Sequence, residues 1–224
     1  MNIACVGSHP DDIELAMGGT ILRMKQKGHR IVLLDLSDGE PTPYGSVEIR
    51  KIERMKSAEI LGVERFTLKN KNRYIFDTID SREELAEYFR EIKPDIIFTH
   101  FEYDVHPDHI SASSITDSAR FYSKLTKSDI KGEPFFPRKI IYYFPNHIHL
   151  NILPSFCIDI SNCIDIKLEA LHSYESQFIK KGDGNVLREI TAVNKYYGIR
   201  IGKEYAEPFI LRDTLDLDFY KELI

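Results

Sequence analysis

The chain has 224 residues, 42% of them hydrophobic and 29% charged, with a formal net charge of −5. That is enough chain for one full core, and a single domain over residues 1–224 is expected. The acidic balance leaves no basic footprint for nucleic acid or an anionic membrane surface, and no apolar run approaches the roughly 18 residues of a spanning helix.

An apolar run over residues 2–7 predicts a strand that stops at Gly7-Ser8. A helix over 12–27 follows, with Ile13, Leu15-Ala16, Ile21-Leu22 and Met24 at helical spacing and Gly28 as its stop. Pro10 suits the first position of that helix. Residues 30–36 predict a second strand, apolar enough to be buried on both faces. The loop from Ser37 to Ser46 carries two prolines and two glycines, and Ser46 is placed to cap a helix from Val47 to Leu61 that Gly62 ends. A short third strand at 65–68 leads into a polar stretch through Asp77. A helix from Ser81 to about Ile92, the breaker Pro94 and a fourth strand at 95–100 come next. A helix from Pro107 to about Tyr122 precedes a loop through Pro137. Strands at 139–144 and 155–160, helices over 164–178 and 187–197, and an extended segment at 206–211 complete the chain.

Strand and helix alternate through the first 120 residues, which implies right-handed βαβ units: an α/β fold with a mostly parallel sheet flanked by helices. Ligands of such sheets bind beyond the carboxyl ends of the strands. The loops at 9–12, 37–46 and 101–109 therefore open on one edge.

Two similar sequences stand on that edge, His9-Pro10-Asp11-Asp12 and His106-Pro107-Asp108-His109. His9 and Asp12 are three positions apart and share a face, and His109 supplies a third ligand from the neighbouring unit. A His2Asp set with an open position makes bound water acidic enough to yield a nucleophile near neutral pH. Zinc is the expected ion, although the same donors serve iron. Asp11, beside a ligand without being needed as one, reads as the general base. His106 reads as an imidazolium that stabilises an oxyanion or protonates a leaving nitrogen, with Asp108 orienting its ring and raising its affinity for the proton.

These residues, with Gly18-Gly19-Thr20, Asp38-Gly39-Glu40, Tyr174-Glu175-Ser176-Gln177-Phe178 and Tyr205-Ala206-Glu207-Pro208-Phe209, resemble the signature of the LmbE-like (PIG-L type) zinc-dependent N-acetylglucosaminide deacetylases. The resemblance implies a Rossmann-like core, zinc on His9, Asp12 and His109, Asp11 as base, and His106 as electrostatic catalyst oriented by Asp108. It implies removal of the N-acetyl group from an N-acetylglucosamine-containing small molecule, and it allows a homo-oligomer. On the residues alone, another zinc amidase or an esterase fits the same site. A metal-free nucleotide-binding module is disfavoured, since no GxGxxG turn follows the first strand.

Arg50 fills a position associated with substrate in the family, and reads equally as a surface cation of its helix. Some relatives carry a tyrosine where this chain has Asp104, so substrate contacts there do not transfer. His147 lies in a loop able to reach the site and is a further substrate-binding candidate. His100, at the end of strand four, reads as a satisfied core histidine or as support for the ligands, and His29 as a helix-end residue. The start of the chain lacks the basic flank and cleavage site of a signal peptide, and the three cysteines lack CxxC spacing. All three read as buried small hydrophobes in a reducing cytoplasm.

Overall fold

The computed structural model describes residues 1–144, 152–180, 185–214 and 216–223. Among them lie strands β1 (Asn2–Gly7), β2 (Arg30–Ser37), β3 (Glu64–Asn70), β4 (Ile96–His100), β5 (Lys139–Tyr143), β6 (Phe156–Asp159) and β7 (Ala206–Ile210). The helices are α1 (Asp12–Gln26), α2 (Val47–Leu61), α3 (Ile79–Ile92), α4 (Pro107–Tyr122), α5 (Ile164–His172), α6 (Glu175–Phe178), α7 (Asn185–Arg200) and α8 (Leu217–Lys221). The strands form one sheet in the order β3-β2-β1-β4-β5-β7-β6. β1 to β5 run parallel, whereas β7 is antiparallel to both β5 and β6. The expected α/β, Rossmann-like fold is what the chain adopts.

β1 sits at the centre, between β2 and β4. Its side chains alternate between two apolar layers. Ile3 and Cys5 join α1 and α5 residues such as Ile13, Met17 and Ala170 on one face; Ala4 and Val6 meet α3 and α4 residues such as Phe89 and Ile115 on the other. Burying both faces, at about 1.5–3 kcal/mol for each large side chain, is what makes the run apolar throughout. Gly7 ends β1 because a Cβ there would lie 2.9 Å from Ile13 Cγ1, where α1 folds back on the strand.

α1 is kinked at Met17 (φ −144°, ψ 21°). Beyond the kink, the Gly19 and Thr20 N–H groups donate to the Glu207 carboxylate at 3.0 and 2.6 Å. Before it, the buried Lys167 Nζ donates to the Leu15 carbonyl at 2.9 Å, and also to Glu207 Oε1 at 2.7 Å and Asn194 Oδ1 at 2.9 Å. The break frees backbone groups in mid-helix, and this buried pair satisfies them.

Several local expectations are corrected. Pro10 lies in the turn before α1, whose N-cap is Asp11. α3 starts at Ile79, because the Thr78 hydroxyl accepts the Ser81 N–H. The helix expected over 164–178 breaks at Ser173-Tyr174, where the Tyr174 hydroxyl reaches Glu14 and Arg65 in the interior. Cys5 and Cys163 are buried, but Cys157 is only partly so. His29 is buried, with Nε2 donating to the carbonyls of Glu222 and Leu223. Among the described residues, no helix is long and apolar enough to cross a membrane.

Candidate active site

The chain leaves β1 through Ser8 and His9 and enters α1 at Asp11, which adopts a left-handed conformation (φ 106°, ψ −29°). For a residue with a Cβ this costs about 1–3 kcal/mol and needs surrounding structure to hold it. Arg50 from α2 provides that hold. Its guanidinium donates to the Pro10 carbonyl and, from both terminal nitrogens, to Asp11 Oδ2 at 3.2 Å. It lies 5.4 Å over the Tyr174 ring and is 1% exposed. The surface-cation reading of Arg50 is thereby overturned.

Beyond β4, the loop delivers Asp104 and His106 and starts α4 at Pro107. His106 is the N-cap of α4, its Nδ1 accepting the Asp108 N–H at 3.2 Å, a side-chain cap made by an imidazole. Asp108 thus meets His106 through its main chain. Its carboxylate Oδ2 instead accepts from His9 Nε2 at 3.0 Å and from the Arg73 N–H at 2.8 Å. The expected rise in the His106 proton affinity does not occur: burial, with His109 and His9 nearby, outweighs the pull of Asp108 and lowers it.

His9, Asp12 and His109 each offer a ligand atom, all within 4.8 Å of one another. Asp12 and His109 are buried, and the His9 side chain is 12% exposed. Asp12 is the hub. His9 Nδ1 lies 3.3 Å from Oδ2, His109 Nε2 lies 3.3 Å from Oδ1, and His100 Nε2 lies 3.3 Å from Oδ2. Two overlapping groups, His9/His106/Asp108 and His100/Asp104/His109, also bring their ligand atoms within 4.8 Å of one another. In those, the carboxylates already hold imidazoles through Asp108 and Asp104.

The donor set suits a cation. Burial alone would lower the proton affinity of His9, but hydrogen bonds to Asp108 and Asp12 raise its pKa to about 9. Burial likewise opposes the rise of His109, yet Asp12 and Asp104 carry it to about 10. Burial would raise Asp12, but His109, His100 and His9 hold it well below the usual carboxylate range. A potential that favours protons on the imidazoles also favours a divalent ion there. Asp11 behaves differently. Burial pushes its pKa to about 7, with Arg50 pulling down and Asp12 pushing up.

Asp11, Asp12, His9, His106 and Arg50 line one cavity of about 690 Å³. Leu15, Phe178, Val186, Ile190 and Val193 give it an apolar far wall built by α1, α6 and α7. His147 lies outside the described residues. Asp104, Asn72 and Arg73 are functional neighbours that the sequence reading did not select. Asn72, 6% exposed, lines the cavity beside Arg73, and Arg73 turns the chain with φ 68°. The irregular polar stretch before Asp77 gave no periodic signal for either. The ring of His100 stacks on His109 at 4.1 Å and its Nε2 accepts the Ser8 N–H, so it supports the ligands.

The diacetylchitobiose deacetylase of Thermococcus kodakarensis is 30% identical over 223 residues, covering 92% of this chain and 80% of that protein. The conserved protein TT1542 from Thermus thermophilus superposes with a TM-score of 0.89 at 34% identity, covering 97% of each chain. GalB, a 4-carboxy-2-hydroxymuconate hydratase from Pseudomonas putida KT2440, shares the fold with a TM-score of 0.83 at 21% identity, covering 97% of this chain and all (100%) of that one. Residues 4–120, which contain both histidine sequences and all three candidate ligands, match the PIG-L family, described as GlcNAc-PI de-N-acetylase, and the chain belongs to that family.

Proposed function

We propose that the chain is a zinc-dependent hydrolase that removes the N-acetyl group from an N-acetylglucosamine-containing small molecule. The observation that carries this reading is Asp11. It lines the same cavity as His9 and Asp12, two of the three candidate ligands, and adjoins Asp12 in the chain, while Arg50 holds it in place. The kinship with a diacetylchitobiose deacetylase supports the substrate class. The fold alone does not, since the hydratase shares it.

His9, Asp12 and His109 would hold a divalent ion, which would lend Lewis acidity to the amide carbonyl and make a water more acidic. Asp11 accepts the proton of the attacking water as the water oxygen adds to the amide carbonyl. Because Nδ1 of His106 accepts a main-chain N–H, the proton of the neutral ring sits on Nε2, a donor for the carbonyl oxygen as charge builds on it. Asp11 then passes its proton to the nitrogen as the C–N bond breaks, giving acetate and a free amine. Arg50 and Asn72 offer donors to the sugar, and the apolar wall faces the remainder of the conjugate. The free cysteines fit a cytoplasmic setting.

Acetate release from N-acetylglucosamine, diacetylchitobiose and aryl N-acetylglucosaminides, against simple acyl esters, tests the reading. Amide turnover is expected to dominate; preferential ester cleavage overturns it in favour of an esterase. Asp11→Asn is expected to lower kcat by about 10²–10⁴-fold with zinc still bound near one per chain. Near-normal turnover of that variant removes Asp11 as the base.

A further inference from the structure

Asp104 and Asp108 take no part in the steps above, yet both carboxylates are committed. Asp104, its side chain fully buried, accepts the His106 N–H on Oδ1 at 2.8 Å and His109 Nδ1 on Oδ2 at 2.7 Å. Asp108 accepts His9 Nε2 at 3.0 Å and the Arg73 N–H at 2.8 Å, both on Oδ2. A carboxylate only accepts, so the imidazole nitrogens that meet Asp104 and Asp108 carry a proton. When an ion displaces the second proton, the nitrogen left to bind it is the opposite one: Nε2 in His109 and Nδ1 in His9. Those are the two atoms that lie 3.3 Å from Asp12 oxygens.

We propose that Asp104 and Asp108 are positioning residues that hold the two metal-binding histidines in opposite tautomers, so that His109 ligates through Nε2 and His9 through Nδ1. The inference rests on the metal site proposed above and gives Asp108 a partner other than His106. Carboxylates behind ligating histidines fix ring orientation and raise ligand basicity, and losing one lowers metal affinity by about 10–100-fold. Asp108 also joins two distant segments. The turn that places Arg73 in a left-handed conformation aims its N–H at the carboxylate that holds His9, so the β3–α3 loop contributes to the ligand geometry without touching a ligand.

The use of one oxygen or two makes the proposal testable. Asparagine retains one acceptor oxygen. At Asp108 a single oxygen makes both contacts, so Asp108→Asn preserves them. At Asp104 each oxygen makes one, so Asp104→Asn loses one and sets an amide N–H against a donor. Zinc affinity, measured by chelator competition on the purified full-length chain, is expected to fall about 10–100-fold in Asp104→Ala, Asp108→Ala and Asp104→Asn. Asp108→Asn should stay within about threefold of wild type, a rescue that loss of packing would not produce. Histidine nitrogen NMR of the zinc-loaded wild type should show His9 protonated on Nε2 and His109 on Nδ1. Circular dichroism of the metal-free variants identifies any that fail to fold, and the NMR arm then stands alone. Equal affinities across all four variants, equal losses in the two asparagine variants, or one shared tautomer overturns the proposal. Wild-type protein that takes up no zinc overturns the metal reading beneath it, which separates the two failures.

Discussion

Two of the buried charged groups that grip α1 contrast, one around Asp11 and Asp12 at its start and one at its kink. At the kink the charges are closed. All three Lys167 donors are used, by Leu15, Asn194 and Glu207, and both Glu207 oxygens accept. Around Asp11 and Asp12 they are not. Asp12, Asp104 and Asp108 face imidazoles whose charge depends on a proton, and Arg50, the permanent cation of the group, is engaged by Asp11. A lysine ties a helix to a strand for good. A histidine can exchange its proton for a metal ion. The first arrangement fixes a backbone; the second leaves room for chemistry.

Removing the closed pair's cation gives the largest expected effect. Lys167→Met leaves Glu207 buried without its counter-charge and should cost about 3–5 kcal/mol of unfolding free energy, read by chemical denaturation. Adding Glu207→Gln should recover part of it. A single-mutant loss under about 1 kcal/mol would mean that the pair is not the structural half of the contrast. The open group should respond in the opposite sense. Zinc at 100 times its Kd should stabilise the wild type by about 2.7 kcal/mol and leave the thermal midpoint of Asp12→Asn unmoved. An equal rise in that variant would place the ion elsewhere. The smallest effect concerns the helix that carries Arg50. The Ser46 hydroxyl accepts the Ile49 N–H at 3.2 Å, so Ser46→Ala should cost about 1 kcal/mol in the same denaturation measurement.

The βαβ alternation was legible because it rests on local periodicity: β1, α2 and α4 fall where their apolar spacing and stop signals put them. The insertion of β7 between β5 and β6 was not, because pairing order is a long-range choice with no local mark. The break at Ser173-Tyr174 was hidden for a related reason: a helical pattern gives way where the Tyr174 hydroxyl satisfies a buried carboxylate and guanidinium on other elements. In the site, the residue types and their edge were readable. Which oxygen meets which nitrogen was not. Spacing suggested that Asp108 serves its neighbour His106, whereas the fold brings its carboxylate to His9, 99 positions away. Asp104 stood out only as a departure from relatives, and nothing in the sequence shows that it faces His109.

The central pairing of β1 with β4, with Ile3 opposite Ile96, has a consequence for how the molecule comes into being. Two of the proposed ligands follow β1 and the third follows β4, and the loops that carry them become neighbours only once those two strands pair. Closing that long intervening segment is a slow, non-local event. Zinc capture during refolding should therefore lag behind helix formation and mark the moment the middle of the sheet is zipped. A ribosome-bound nascent chain that has not yet exposed α4 holds a histidine and two aspartates with nothing to grasp.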